Sequence, residues 1–158
     1  MNKVGTLILM VLGIVVFFSP MALCGEVEIL QALEDVKAGI EEGLSQEELT
    51  QLLDAAWLKV DAMNKAVGNT CFRASARRCY DWYAQWVSSR GSLIENVEQR
   101  DKYWRQAEYG EAHLKDASLT IAENYDKLIR HAQGGLPSKR AQGDASLLKA
   151  QACLETEK

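Results

Sequence analysis

Apolar side chains recur at alternating spacings of four and three residues along one uninterrupted stretch of this chain, from Leu93 to Ala132. The ladder has twelve positions and nine of them are apolar: Leu93, Val97, Trp104, Ala107, Leu114, Ile121, Tyr125, Leu128 and Ala132. Such spacing places the side chains on one face of an α-helix. It predicts a rod of about 40 residues, roughly 60 Å long, that packs against other helices along this face.

Residues typical of helix ends bound this rod. Ser92 and Glu95 have the spacing of a capping box, in which each side chain accepts a hydrogen bond from the backbone N–H of the other residue. Gly134 and Gly135 are predicted to end the helix, and Gly110 is a position where it could kink or split. Three ladder positions carry polar side chains, namely Arg100, Glu111 and Ser118. A buried ion pair or a polar pocket would explain Arg100 and Glu111, but we expect that the partner helix ends there, because burying unpaired charge is costly.

Four further helices are predicted from periodicity and end signals. The first runs from Glu26 to Glu42, and the second from the capping box of Ser45 and Glu48 to Gly68-Asn69-Thr70. The third contains Cys79, Tyr83 and Trp86 and ends at Arg90-Gly91. The last begins at Pro137-Ser138 or at Asp144. One proline follows residue 24, and no stretch alternates with a period of two between turn residues. We therefore predict an all-α fold, an antiparallel helical hairpin or bundle of four to five helices. Residues 25–158 are expected to form a single helical domain.

The first 24 residues are typical of an export signal. Lys3 is their one charged residue, residues 4–18 form an apolar stretch, and Ala22 and Cys24 are small residues at the −3 and −1 positions of a cleavage site before Gly25. Lipidation of Cys24 and retention of the segment as a membrane anchor are the alternatives, and membrane contact is expected only in those two cases. All three place the rest of the chain outside the cytoplasm, and we predict a periplasmic or secreted protein.

The charge of the remaining chain argues against one class of partner. Removing Lys3 from the 18 Lys and Arg residues leaves 17 basic against 22 acidic side chains, a net charge of −5. An exported protein with an acidic total is not expected to bind nucleic acid.

Three cysteines follow the export segment, in a compartment where exposed thiols tend to pair: Cys71, Cys79 and Cys153. On one continuous helix, Cys71 and Cys79 would lie about 12 Å apart, which is too far for a disulfide. Their pairing therefore requires that the helix begin after Cys71, and Ser75 could cap such a helix. We predict a Cys71–Cys79 disulfide, with Cys153 as the alternative partner of either cysteine.

An aromatic and basic stretch precedes the ladder. The side chains that could form a binding surface there are Arg73, Arg77, Arg78, Trp82, Trp86 and Arg90. Aromatic rings and guanidinium groups can stack sugars or hold an anionic partner. The competing interpretation is that the aromatic residues belong to the core of the bundle.

The sequence indicates no catalytic chemistry. Glu111 and His113 are two residues apart, which points their side chains to different sides of a helix, so no metal site is expected, and no cofactor motif occurs. We predict an exported, non-enzymatic helical protein that binds a protein partner in the cell envelope as an adaptor, a chaperone-like factor or an inhibitor. The alternative is a glycan- or small-ligand-binding protein that uses the region around Trp82 and Trp86. A homo-oligomer is a further expectation.

Overall fold

The computed structural model describes residues 25–63 and 70–156, and these residues form helices and turns without strands. The helices are α1 (Glu26–Glu42), α2 (Gln46–Met63), α3 (Thr70–Tyr109) and α4 (Lys115–Glu155), with a short 3₁₀ helix at Ala112–Leu114. The all-α prediction is confirmed for this part of the chain. The predicted export signal and the predicted end of α2 at Gly68-Asn69 lie outside the described residues.

Helices α1 and α2 form a short hairpin whose bounds were predictable. Helix α1 has the predicted limits, and Gly43 ends it in the left-handed conformation, with φ of 74°. The predicted capping box is present at the start of α2, where the Ser45 N–H donates to Glu48 Oε2 over 2.8 Å and the Glu48 N–H donates to Ser45 Oγ over 3.2 Å. Hydrogen bonding from the Ser45 side chain and from the Ser45 backbone N–H lowers the pKa of the Glu48 carboxyl.

Helices α3 and α4 form a much longer antiparallel hairpin, and here the predicted boundaries are wrong. Helix α3 runs through Arg90-Gly91 and through the predicted capping box at Ser92 without a break. Helix α4 runs through Gly134, Gly135 and Pro137, so the predicted last helix is the continuation of α4. The chain reverses at Gly110–Leu114 instead, and the predicted rod from 93 to 132 is two antiparallel segments.

The reversal depends on Gly110. A Cβ at this position would overlap the carbonyl oxygen of Gln106, to which the Gly110 N–H donates over 2.9 Å. A residue with a side chain does not fit this close approach of the backbone to itself. The split that the sequence suggested at Gly110 is confirmed.

Tertiary packing overrides the local helix-breaking signals elsewhere. Gly134, Gly135 and Pro137 inside α4 together cost about 5 kcal/mol in helix propensity relative to alanine. Each helix of the hairpin lies against the other over most of its length, with cross-helix contacts from Cys71–Cys153 at one end to Tyr103–Tyr125 near the other. Contact along two helices of 40 and 41 residues supplies the stability that a single helix with this sequence lacks.

The hydrophobic core occupies one end of the long hairpin. It consists of the apolar faces of α1 and α2, the part of α3 up to Val87, and the part of α4 from Leu147 onward. The largest fully buried side chains are Tyr83, Phe72, Ile29, Leu33, Leu49, Val36, Val60 and Cys79. We call this four-helix portion the body.

One disulfide closes the open end of the hairpin within the body. Cys71, at the start of α3, bonds to Cys153, at the end of α4, with their Cα atoms 5.8 Å apart. The preferred Cys71–Cys79 pairing is wrong, because α3 begins at Thr70 and holds both cysteines on one continuous helix. The alternative, a bridge from Cys71 to Cys153, is confirmed, and Ser75 lies buried inside the helix rather than at its cap.

Candidate functional site: a two-helix arm

The long hairpin continues beyond the body as a two-helix arm. The turn between α1 and α2 marks the limit of the body: Gln46 Nε2 donates to the Val87 carbonyl oxygen over 2.9 Å, and an Arg90 guanidinium N–H donates to the Leu44 carbonyl oxygen over 2.6 Å. On the other helix, Arg140 reaches Glu41 over 3.0 Å. We define the arm as residues 92–134 with their turn. It contains 18 residues of α3 and 20 of α4, a length of roughly 30 Å.

The interior of the arm is thin and partly polar. Its buried residues are Ala107, Ser118, Ala122 and Ile129. Tyr103 stacks on Tyr125 with ring centroids 6.0 Å apart, and Arg100 pairs with Asp126 of the other helix over 3.4 Å. The large aliphatic clusters that fill the body have no counterpart here.

The polar ladder positions have an explanation in this geometry. Arg100 also binds Asp101 over 2.7 Å, and its two carboxylate partners raise the pKa of the guanidinium. The expectation that the partner helix ends at Arg100 is wrong there, because α4 lies opposite and provides an ion pair. Glu111 is exposed in the turn between the helices, and Ser118 is buried with a small side chain where the two helices approach.

The surface of the arm exposes large apolar side chains. Four of the seven exposed large hydrophobic residues in the described chain belong to it: Ile94, Trp104, Tyr109 and Leu128. Trp104 and Leu128 are 42% and 52% exposed, although both occupy positions of the apolar ladder. These side chains contribute little to the packing of the two helices against each other, so they remain available to a partner.

A shallow cleft lies beside the Trp104 ring. Arg100, Asp101 and Arg105 from α3 and Asp126 from α4 form its other walls. An exposed tryptophan flanked by arginine side chains is the composition that dominates binding energy at protein interfaces. The cleft has no enclosed volume suited to a small molecule, and its groups fit a protein surface better.

The predicted aromatic and basic surface is divided in the structure. Arg77 lies over the Trp57 ring, 4.5 Å from its centroid, and pairs with Asp81 over 3.1 Å. Trp57 also contacts Tyr80, with ring centroids 5.2 Å apart. This side of α3 therefore fastens α3 to α2, and burial together with the carboxylates of Asp54 and Asp81 raises the pKa of Tyr80.

The remaining residues of that predicted surface lie elsewhere on α3. Trp86 packs against the body core, with the Arg90 guanidinium 5.8 Å from its ring centroid. Trp82 and Arg73 are half-buried, and Arg78 is exposed. By the 100° rotation per residue of an α-helix, Arg73 and Arg77 lie on one flank and Arg78 and Trp82 on the opposite side. The six residues do not converge on one face.

A buried polar group lies at the centre of the body. The Tyr83 hydroxyl donates to Asp144 Oδ1 over 2.7 Å, and Cys79 lies beside it as a buried free thiol. Burial is the main cause that raises the pKa of Cys79 to about 12 and raises that of Tyr83. Gly143 makes room for the phenol, because a Cβ there would overlap the Tyr83 ring. Both groups remain protonated and unreactive near neutral pH, so the arrangement is structural.

Neither a metal cluster nor a membrane span occurs in the part of the chain described. Within residues 25–63 and 70–156, no three His, Cys, Asp or Glu side chains are grouped so as to hold a metal ion. Over the same residues, no helix has the length and apolar content needed to cross a membrane.

The arm was not predicted from the sequence, because the apolar ladder was expected to form one rod and instead folds back on itself. Gly110 carried the signal, since a glycine in the middle of a long apolar ladder is a natural point of reversal. The protein-family models, curated proteins and solved structures with which the chain was compared include no match to it.

Proposed function

We propose that this chain is an exported, non-enzymatic protein that binds a protein partner in the cell envelope through its two-helix arm. The observation that carries the proposal is the exposure of Trp104 and Leu128 on an arm that projects beyond the body. Contiguous exposed apolar surface is characteristic of interaction sites, and we infer that these two side chains belong to such a surface. The roles that suit such an arm are those of an adaptor, a chaperone-like factor or an inhibitor.

Export is supported by the apolar segment at residues 1–24 and by the disulfide. Cysteines pair stably in oxidising compartments and are kept reduced in the cytosol. Intact-mass measurement of the protein recovered from the cell envelope tests this part of the proposal. Cleavage predicts a chain that begins at Gly25, lipidation of Cys24 predicts a heavier chain that begins at that residue, and a retained Met1 would contradict cleavage.

Site-specific photo-crosslinking in cells tests the arm. A photoreactive residue placed at Trp104 or Leu128 should give one adduct of constant mass, and Trp104→Ser should abolish the adduct formed from position 128. The control position is Leu58, which is 72% exposed on the body. Equal adducts from position 58, or none from the arm in cells that express the protein, would contradict the proposal.

The alternative of glycan or small-ligand binding around Trp82 and Trp86 has less support. Trp86 is packed against the core and has Arg90 beside its ring, which leaves little of that ring for stacking on a sugar. Quenching of tryptophan fluorescence by cell-wall fragments would favour this alternative if Trp86→Phe abolished the quenching and Trp104→Phe preserved it.

A further inference from the structure

The junction between arm and body carries weak helix formers on both helices. In α4 these are Gly134, Gly135 and Pro137, followed by Ser138. In α3 the segment from Ser88 to Ser92 contains three serines and a glycine among its five residues. Glycine and proline are the two least favourable residues of a helix interior, and serine competes for backbone hydrogen bonds.

The two weak segments lie at the same level of the hairpin. The Lys139 ammonium donates to Ser89 Oγ over 2.6 Å, and Tyr103 stacks on Tyr125 further along. In this antiparallel register, Gly91 lies opposite Pro137. One cleft between the helices is lined by Ser88, Ser89 and Ser92 together with Gly134, Gly135 and Lys139. The weak segments therefore form one cross-section of the molecule.

Nothing in the described residues requires glycine at positions 134 and 135 of α4. A Cβ at Gly134 would meet no atom within 4 Å, and one at Gly135 would meet only the Lys139 ammonium, 3.9 Å away. This contrasts with Gly143 in the same helix, where the Tyr83 ring excludes a Cβ. Packing explains Gly143 and leaves Gly134 and Gly135 without a packing role.

Backbone hydrogen bonding is also incomplete at this level. Pro137 has no N–H to donate to the carbonyl oxygen of Gln133, so the hydrogen-bond ladder of α4 has a gap there. On α3 this level is still in contact with the start of α2 and the turn before it: Gln46 binds the Val87 carbonyl oxygen and lies against Gly91, and Arg90 binds the Leu44 carbonyl oxygen. Beyond Gly91 the arm consists of α3 and α4 alone, so the support from α1 and α2 ends within the segment where the helix backbones are weakest.

We propose that residues 88–92 of α3 and 134–138 of α4 form a hinge about which the arm bends relative to the body. Sharp bends in helices occur at proline and at glycine and serine pairs, and both kinds are present here. The small side chains on both helices leave space in the cleft for the change in angle. The hinge lets a rigid, disulfide-closed body present the arm at more than one angle, and it does not depend on the identity of a partner.

Distance distributions between spin labels test the hinge in the full chain. Labels attached through ketone-bearing residues at Glu108 on the arm and Lys149 on the body leave the disulfide and Cys79 unchanged. A second pair at Glu95 and Glu108 lies within the arm and reports the width given by label motion alone. We expect the arm-to-body distribution to be at least about twice as wide as the distribution within the arm.

A matched pair of variants identifies the cause of that width. The triple substitution Gly134→Ala, Gly135→Ala and Pro137→Ala should narrow the arm-to-body distribution to the within-arm width. The control, Thr120→Ala with Asn124→Ala, strengthens an exposed part of α4 inside the arm and should leave the distribution unchanged. Circular dichroism verifies that every variant is helical.

Two results would overturn the hinge. One is an arm-to-body distribution of the native chain that is no wider than that within the arm. The other is a triple variant that keeps the native width, whether or not it still forms the crosslinks at Leu128, because the two glycines and the proline would then not be the cause of the width. Loss of all crosslinking with a wide native distribution would contradict the proposed function and leave the hinge supported.

Discussion

Helices α3 and α4 run through both the body and the arm, but their side chains are packed differently in the two regions. In the body, α3 and α4 are covered by α1 and α2, and aromatic and aliphatic side chains such as Tyr83 and Leu33 are fully buried. In the arm, the same helices have only each other, and the interior consists of small side chains, one aromatic stack and one ion pair. The stability of this chain is therefore concentrated at one end, and four of the seven exposed large apolar side chains of the described residues lie at the other.

Truncation of matched buried side chains should separate the regions most strongly. Leu33→Ala in the body should lower the free energy of unfolding by about 4 kcal/mol, since the cavity is enclosed on all sides. Ile129→Ala in the arm, also nearly fully buried, should cost about half as much, because two helices can close the gap or admit water. Urea titration followed by far-UV circular dichroism measures both values. Equal costs would mean that the arm is packed as the body is.

Removal of the disulfide should destabilise the body by about 3 kcal/mol. The bond joins residues 82 apart in sequence, so it restricts the unfolded chain over most of the long hairpin. The variant Cys71→Ser with Cys153→Ser is compared with the oxidised protein by urea titration. In the oxidised protein, thiol counting in denaturant without reductant should give one free thiol among Cys71, Cys79 and Cys153, namely that of Cys79. A count of three would contradict the bond.

Two glycine substitutions in α4 should have opposite signs. Gly143→Ala should lower the free energy of unfolding by about 2 kcal/mol, because the new Cβ displaces the Tyr83 ring and weakens its hydrogen bond to Asp144. Gly135→Ala has open space and should raise that free energy by up to about 1 kcal/mol. Thermal unfolding of the two variants measures the difference. Destabilisation by both would show that the junction is as tightly packed as the body.

The smallest expected effect is a loss of body stability at alkaline pH through Cys79. Its pKa is about 12 in the folded chain, above the value of 9.0 for a free thiol. The folded state therefore keeps a proton that the unfolded state releases, so stability falls as the pH rises from 9 towards 12. At pH 10 this loss amounts to about 1 kcal/mol. The variant Cys79→Ala should lose less stability than the native chain between pH 8 and pH 10, and equal losses would place the thiol in a solvated site.

Local signals were sufficient where the chain has no long-range competition. The limits of α1 and the Ser45 capping box depend on a few neighbouring residues, and both were predictable. The breaks expected at Arg90-Gly91 and Gly134-Gly135 depend on the same kind of signal but are absent, because the opposing helix holds each segment in place. The proposed hinge lies at these two sites, where the local sequence favours a helix end and tertiary packing keeps the helix continuous.

The helical spacing of the apolar residues was identified correctly, but its interpretation as one continuous rod was wrong. The apolar ladder from Leu93 to Ala132 exists because the two halves face each other across the turn, not because one rod faces other helices. The buried face of α4 is offset by one residue from the predicted ladder at alternate positions, so Ala122 and Ile129 are buried while the ladder residue Leu128 is exposed. Spacing alone does not indicate which helix a face will meet.

Peptide-resolved hydrogen exchange of the intact, oxidised protein tests the division into body and arm most directly. The two parts of α3, residues 72–87 and 94–109, belong to one helix and differ in what surrounds them. We predict that amides of 72–87 exchange only through global unfolding, whereas those of 94–109 open at a free energy lower by about 2 kcal/mol or more. Equal protection along α3 would contradict the account, because arm and body would then be one cooperative unit.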